Sequence, residues 1–144
     1  MSVTLPQAQK LAQTGQTAAA DAAFKALLKA KPNNAVILQA AIQFHNRYSR
    51  QYRAAVPLAD KLVTLKPKSS TAHALAAETY CNCQRLPQAV QHGQKAIGLA
   101  PEDPDALFAC AVAFMAVDRT RDALDLLANA LTKDPSHRPA RLQM

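Results

Sequence analysis

The chain has 144 residues, a formal net charge of +7, few aromatics and only three glycines against abundant alanine, which predicts a single, largely helical domain. Three cysteines, an odd number, give no closed disulfide framework, and no apolar run is long enough to span a bilayer. MSVTLPQAQK lacks a charged segment leading into an apolar one, so the expectation is a soluble, cytoplasmic protein without a secretory leader.

The first helix is expected to begin at Thr4, with Gln7 completing a capping box and Pro6 in the first turn, where a missing N–H costs little. Gly15 makes a turn, Thr17 caps a second helix running to about Lys31, and Asn33–Asn34 cap a third. HNRYSRQYR then carries one residue more than its counterparts, and Pro57 falls inside the expected fourth helix. An interior proline costs about 3 kcal/mol or forces a kink, so that helix is predicted to be kinked or to start late, between Arg53 and Pro57. Ser69 or Ser70 caps the fifth helix, Pro87 suits the start of the sixth, and Asp103-Pro104-Asp105 opens the seventh. The eighth spans roughly Thr120 to Lys133, and SHRPARLQM after Pro135 reads as a link and the first turn of another helix.

These elements repeat. Pro32, Pro67, Pro101 and Pro135 are 35, 34 and 34 residues apart, a spacing that signals stacked repeats. Twelve residues before each proline stands an alanine (Ala20, Ala55, Ala89, Ala123), followed along one helix face by Phe24, Ala59, Gly93 or Leu127 and then by an apolar pair. Small residues there let two helix backbones approach closely. After each proline, offsets of six, nine, ten and thirteen hold Leu38, Ala41, Ile42 and His45, then His73, Ala76, Ala77 and Tyr80, then Leu107, Cys110, Ala111 and Phe114. That is a second amphipathic helix per unit.

Two helices per 34 residues, closed by a proline, resemble the tetratricopeptide repeat (TPR) family over nearly the whole chain. The second-helix alanine and closing proline match that family. Its large early aromatic is replaced by Thr4, Leu38, His73 and Leu107, and its first-helix glycine by Ala8, Ile42, Ala77 and Ala111. The resemblance implies an all-α, TPR-like alpha-alpha solenoid: four hairpins wound as a right-handed superhelix, in units of about 1–34, 35–69, 70–103 and 104–137, with 138–144 a C-terminal stub beginning a further helix or cap. It also implies a concave groove lined by the first helix of each unit and accepting a protein or peptide segment. The matching positions are Gln9 in unit one; Gln39, Gln43, Asn46 and Arg47 in unit two; Glu78 and Asn82 in unit three; Phe108, Val112 and Met115 in unit four. Amides there suit a peptide backbone, and the apolar trio is adaptable. The clamp with which some TPR domains hold a chaperone's terminal carboxylate is missing, since the matching places hold Leu5, Gln9, Thr71 and Leu75.

Catalytic chemistry is not expected. Gly15, Gly93 and Gly98 form no phosphate-cradling loop. Cys81, Cys83, Cys110 and His73 have no zinc spacing, and no metal or cofactor is expected. His45 and His73 read as packing residues. Residues 1–72 hold ten Lys and Arg against two acids, and residues 73–144 seven against eight, pointing to an acidic partner at the N-terminal half. Lys29, Lys31 and Lys66 are accounted for by helix C-termini. Arg47, Arg50 and Arg53 alternate with Tyr48 and Tyr52 in a pattern that RNA could use, yet a solvated loop is the preferred reading, so nucleic acid is not the expected partner. Leu124, Leu127 and Leu131 put more apolar surface on the last helix than an end repeat exposes, and a second copy (a homodimer) or further repeats beyond Met144 are expected to cover it. The leading functional expectation is a non-catalytic protein-interaction module. The alternatives are the N-terminal arm of a larger bacterial enzyme, such as a sulfotransferase or glycosyltransferase, and a small adaptor or secretion chaperone.

Overall fold

The computed structural model describes residues 3–136 as eight helices, with no strand among them. They are α1 (Leu5–Gln13), α2 (Thr17–Ala30), α3 (Ala35–Phe44), α4 (Tyr52–Leu65), α5 (Ser70–Asn82), α6 (Leu86–Leu99), α7 (Pro104–Ala116) and α8 (Thr120–Lys133). The expected stub at 138–144 lies outside the described residues. Consecutive helices pair into four hairpins. The odd-numbered helices stack on one another, α1 on α3, α3 on α5 and α5 on α7, while each even-numbered helix packs its own partner and, through α6, the odd-numbered helix of the next unit. The result is a solenoid whose inner layer is α1, α3, α5 and α7.

The repeat pattern explains this stacking. All twelve residues at the four core offsets of α3, α5 and α7 are buried, from Leu38 to Phe114. The alanine of each even-numbered helix is sealed completely: Ala20, Ala55, Ala89 and Ala123 are each 0% exposed. Gly93 goes further, because a Cβ there would meet the Cα of Cys110 at 2.9 Å. At this crossing α6 rests on the backbone of α7, and any side chain there would force the two helices apart.

Each odd-numbered helix opens on a side-chain cap. Thr4 forms a capping box with Gln7, Asn34 accepts from the Ile37 N–H, Ser69 from Ala72 and Asp103 from Asp105. Thr17 does not cap α2; it is the first helical residue, and Gln16 before it makes no side-chain cap. The second unit departs from expectation in a defined way. Its extra residue is taken up in a π-helical turn, His45–Ser49, closed by Arg50 in the left-handed region at φ 56°. A π turn inserts one residue into a helix without breaking it. With the excess absorbed there, α4 starts at Tyr52, one residue before the expected window, and carries the exposed Pro57 inside it. That proline forfeits the bond its N–H would have made to the Arg53 carbonyl.

Candidate functional site

The inner layer encloses a cavity of 450 Å³. α3 contributes Gln43 and its π turn Arg47; α5 contributes Thr71, Ala74, Glu78 and Asn82; α7 contributes Phe108, Ala109 and Val112, with Asp103 and Asp105 at one end. A second cavity of 280 Å³ continues from it toward α1, sharing Gln43 and Arg47 and adding Gln9, Gln13 and Tyr48. The two form one groove crossing all four odd-numbered helices. Its floor between α5 and α7 is apolar, from Ala74, Leu75, Phe108, Ala109 and Val112, and its rim is polar. Such an arrangement suits a segment that buries an apolar side chain while its backbone meets amides and charges.

The charges are arranged along the groove. Arg47 Nε lies 3.6 Å from Glu78 Oε1, linking the π turn to α5, with both side chains partly solvated. A pair this exposed contributes at most about 1 kcal/mol, so it orients two groups that a ligand is free to compete for. Toward α7 the rim is acidic, with Asp103 and Asp105; toward α1 it consists of glutamines and a tyrosine.

Of the residues singled out from sequence, Gln43, Arg47, Glu78, Asn82, Phe108 and Val112 line the larger cavity, and Gln9 lines the smaller. Gln39 is half-buried and lines neither, and Met115 packs against the Leu107–Phe114 core. Asn46 must be reassigned. It is buried, its Nδ2 donates to Thr79 Oγ1 at 3.0 Å, and the Thr79 hydroxyl donates to the Leu75 carbonyl at 2.8 Å. Asn46 lies within the π turn. Asn82 Nδ2 reaches Asn46 Oδ1 at 3.4 Å, so one amide of the rim is held from below. Leu127 is also reassigned: it is fully buried against Leu107, Cys110 and Ala111 and presents no outer face. Leu131 is half-buried and Leu124 is exposed. Sequence reasoning missed Asp103 and Ala109 as groove residues, the first because it also caps α7.

The rings of His45, His73, His92 and Tyr80 are engaged in local hydrogen bonds and stacking. His45 Nδ1 bonds Ser49 Oγ at 2.9 Å, and burial holds its pKa below the usual value. His73 Nε2 donates to the Pro67 carbonyl at 2.8 Å, so in the neutral ring Nδ1 accepts from His92 Nδ1–H, 3.1 Å away. Tyr80 stacks on His92 and donates its hydroxyl to Asp60; burial first, then that carboxylate, push its pKa up to about 12. Burial raises the Cys110 thiol to about 11 and the Cys81 thiol above its usual range, which makes both poor nucleophiles at neutral pH. Among the described residues no three His, Cys, Asp or Glu side chains converge as metal ligands, and no helix is long and apolar enough to cross a membrane.

Comparison with known proteins bears on the fold. The family model described as anaphase-promoting complex, cyclosome, subunit 3, matches residues 48–130. No curated protein matches the chain in sequence. Among solved structures, MamA (residues 41 to the end) from Desulfovibrio magneticus RS-1 is similar at a TM-score of 0.76 with 21% identity, over 92% of this chain and 74% of that one. YrrB, a TPR protein with an unusual peptide-binding site, is similar at a TM-score of 0.76 with 18% identity, over 95% of this chain and 70% of that one. The Arabidopsis OM64 TPR domain is similar at 0.65 with 18% identity, over 75% and 88%. At these identities the likeness is one of fold.

Proposed function

Because the chain belongs to the family of anaphase-promoting complex, cyclosome, subunit 3, a tetratricopeptide-type family, we propose that it is a non-catalytic protein-interaction module whose concave groove accepts a partner segment. The observation that carries this reading is the groove itself: apolar between α5 and α7, amide- and charge-rimmed, and continuous from Gln9 to Val112. An extended or helical peptide is the occupant such a surface suits, with one apolar side chain over Phe108 and Val112 and its backbone or polar groups on Gln43, Arg47 and Asn82. The acidic end at Asp103 and Asp105 favours a cationic residue next to that apolar one.

A random peptide library panned on the purified protein supplies the ligand for a test. The selected peptide is titrated into isotopically labelled protein and amide shifts are mapped by NMR. The reading expects them to centre on Gln43, Arg47, Glu78, Phe108 and Val112, and expects Arg47→Ala with Val112→Asp to weaken binding at least about tenfold. Shifts confined to the outer faces of α2, α4, α6 and α8 would end the groove proposal.

A further inference from the structure

The described arginines gather on one edge of the solenoid. Arg47, Arg50 and Arg53 lie in the connection from α3 into α4, Arg85 in that from α5 into α6, and Arg119 and Arg121 in that from α7 into α8. The lysines Lys29, Lys31, Lys66 and Lys133 lie at the opposite edge, at helix C-termini, where the dipole favours a cation.

The arginines have no such local account. Arg53 sits in the first turn of α4 and Arg85 is the residue at the cap of α6, so both face the positive pole of a helix. Neither helix has an acid in its first turn or a side-chain cap. Arg47 is held by Glu78, and Arg119 by Asp122 at 2.9 Å. Arg50, Arg53 and Arg85 are exposed and have no ion-pair partner among the described residues. Two consecutive connections thus concentrate uncompensated positive charge where the backbone adds more. Between them lies a recess of 460 Å³ walled by Arg50, Tyr52 and Arg53 on one side and Asn82 and Gln84 on the other. Both Arg50 and Gln84 hold the left-handed conformation, at φ 56° and 62°.

We propose that this recess binds an acidic protein segment, its carboxylates received by the guanidinium groups of Arg50 and Arg53, with Arg85, next in the chain to the recess-lining Gln84, adding positive charge beside it. Planar guanidinium forks match carboxylates in paired hydrogen bonds, and the amides of Asn82 and Gln84 can complete the shell. A protein segment fits better than a nucleic acid because the patch is short. The first connection, Thr14-Gly15-Gln16, is uncharged, and the last sets Asp118 and Asp122 beside Arg119 and Arg121. A polynucleotide needs a longer cationic track and open aromatic platforms; Tyr48 already stacks one face on Phe44. The recess is separate from the inner groove, with Asn82 lining both.

The test is fluorescence anisotropy with labelled oligoglutamate, oligoglutamine and oligouridylate RNA at low and high salt. The proteins are the full chain and its Arg50→Gln/Arg53→Gln/Arg85→Gln variant. The site predicts that oligoglutamate binds, that oligoglutamine does not, and that salt and the triple substitution each weaken binding by about tenfold or more. It also predicts that the variant melts no lower than the parent, because the lost cations oppose the helix dipoles. Absent oligoglutamate binding, equal affinity in the variant, tighter binding of RNA, or a lowered Tm (marking the arginines as parts of the fold) would each overturn it. Arg47 stays intact throughout, so failure here leaves the groove reading standing.

Discussion

Replacing Gly93 with alanine asks whether α6 and α7 meet through their backbones. The added Cβ would stand 2.9 Å from Cys110 Cα, 3.2 Å from its Cβ and 3.3 Å from its Sγ. Carbon atoms rest at about 3.5–4.0 Å, so the helices must part by about 0.6 Å or more, and a backbone atom cannot rotate out of the way. Overpacking of this kind costs about 1–3 kcal/mol, while alanine returns about 1 kcal/mol of helix propensity. The net expectation is a loss of about 1 kcal/mol, or about 3 °C in Tm for a domain of this size. Gly98 is the internal control: it lies in the same helix, is exposed, and an added Cβ there meets nothing within 4 Å. Gly98→Ala should therefore raise stability by about 0.5–1 kcal/mol. Urea and thermal unfolding followed by far-UV circular dichroism measure both, with an unchanged urea slope confirming that the same transition is compared. If Gly93→Ala stabilises as much as Gly98→Ala, the close crossing of α6 and α7 is wrong.

Two further outcomes follow from buried polar groups. Asn46→Ala removes the donor to Thr79 from a sealed site and should cost about 1–3 kcal/mol, whereas Gln39→Ala should stay within about 0.5 kcal/mol; equal effects in urea unfolding would return Asn46 to the solvent-facing set. Burial, and after it the neighbouring His73, hold His92 below its ordinary value of 6.5. The folded chain then binds fewer protons than the unfolded one as pH falls below that value, so this stability is complete above 6.5 and is lost toward acid. Tm should drop between about pH 7.5 and 5.5, and His92→Gln should flatten the drop; an unchanged slope in that variant would refute the assignment.

The fold was legible because one period carries it. Residues six, nine, ten and thirteen after each proline are apolar or ring-bearing in unit after unit, and every one of them from α3 to α7 is buried. What the period could not convey is how an insertion is absorbed. HNRYSRQYR announced an extra residue but not that a π turn would take it, nor that α4 would begin at Tyr52. The turns hid a second regularity. Gly15, Arg50, Gln84 and Asp118 all adopt positive φ, and each stands seventeen residues before its unit's proline. Only the first is a glycine, the residue that signals such a conformation, so residue type concealed what position repeats. The groove residues were legible one at a time by helix face; Asp103 escaped because its role as a cap accounted for it fully.

The turns also explain why the arginine edge is electrostatically open. The four odd-numbered helices have cap residues with ψ between 113° and 157°, the extended geometry from which a Ser, Thr, Asn or Asp side chain reaches the first-turn N–H groups. Gln16, Gln51, Arg85 and Arg119, which precede the even-numbered helices, have ψ between 56° and 71° and make no side-chain cap. Three of these residues are already committed to the helix before them. The N–H of Gln16 bonds the Leu11 carbonyl, that of Arg85 bonds Tyr80, and that of Arg119 bonds Phe114, each closing a helix across a left-handed residue. One residue that must terminate one helix and start the next within so short a turn does not adopt the capping conformation for the second. The first-turn donors of α2, α6 and α8 therefore go without side-chain caps along one edge of the solenoid, and α4 has no side-chain cap either. Placing arginines on that edge at α4 and α6 adds charge of the same sign as the helix ends, a combination that an anionic group from outside the hairpin would stabilise.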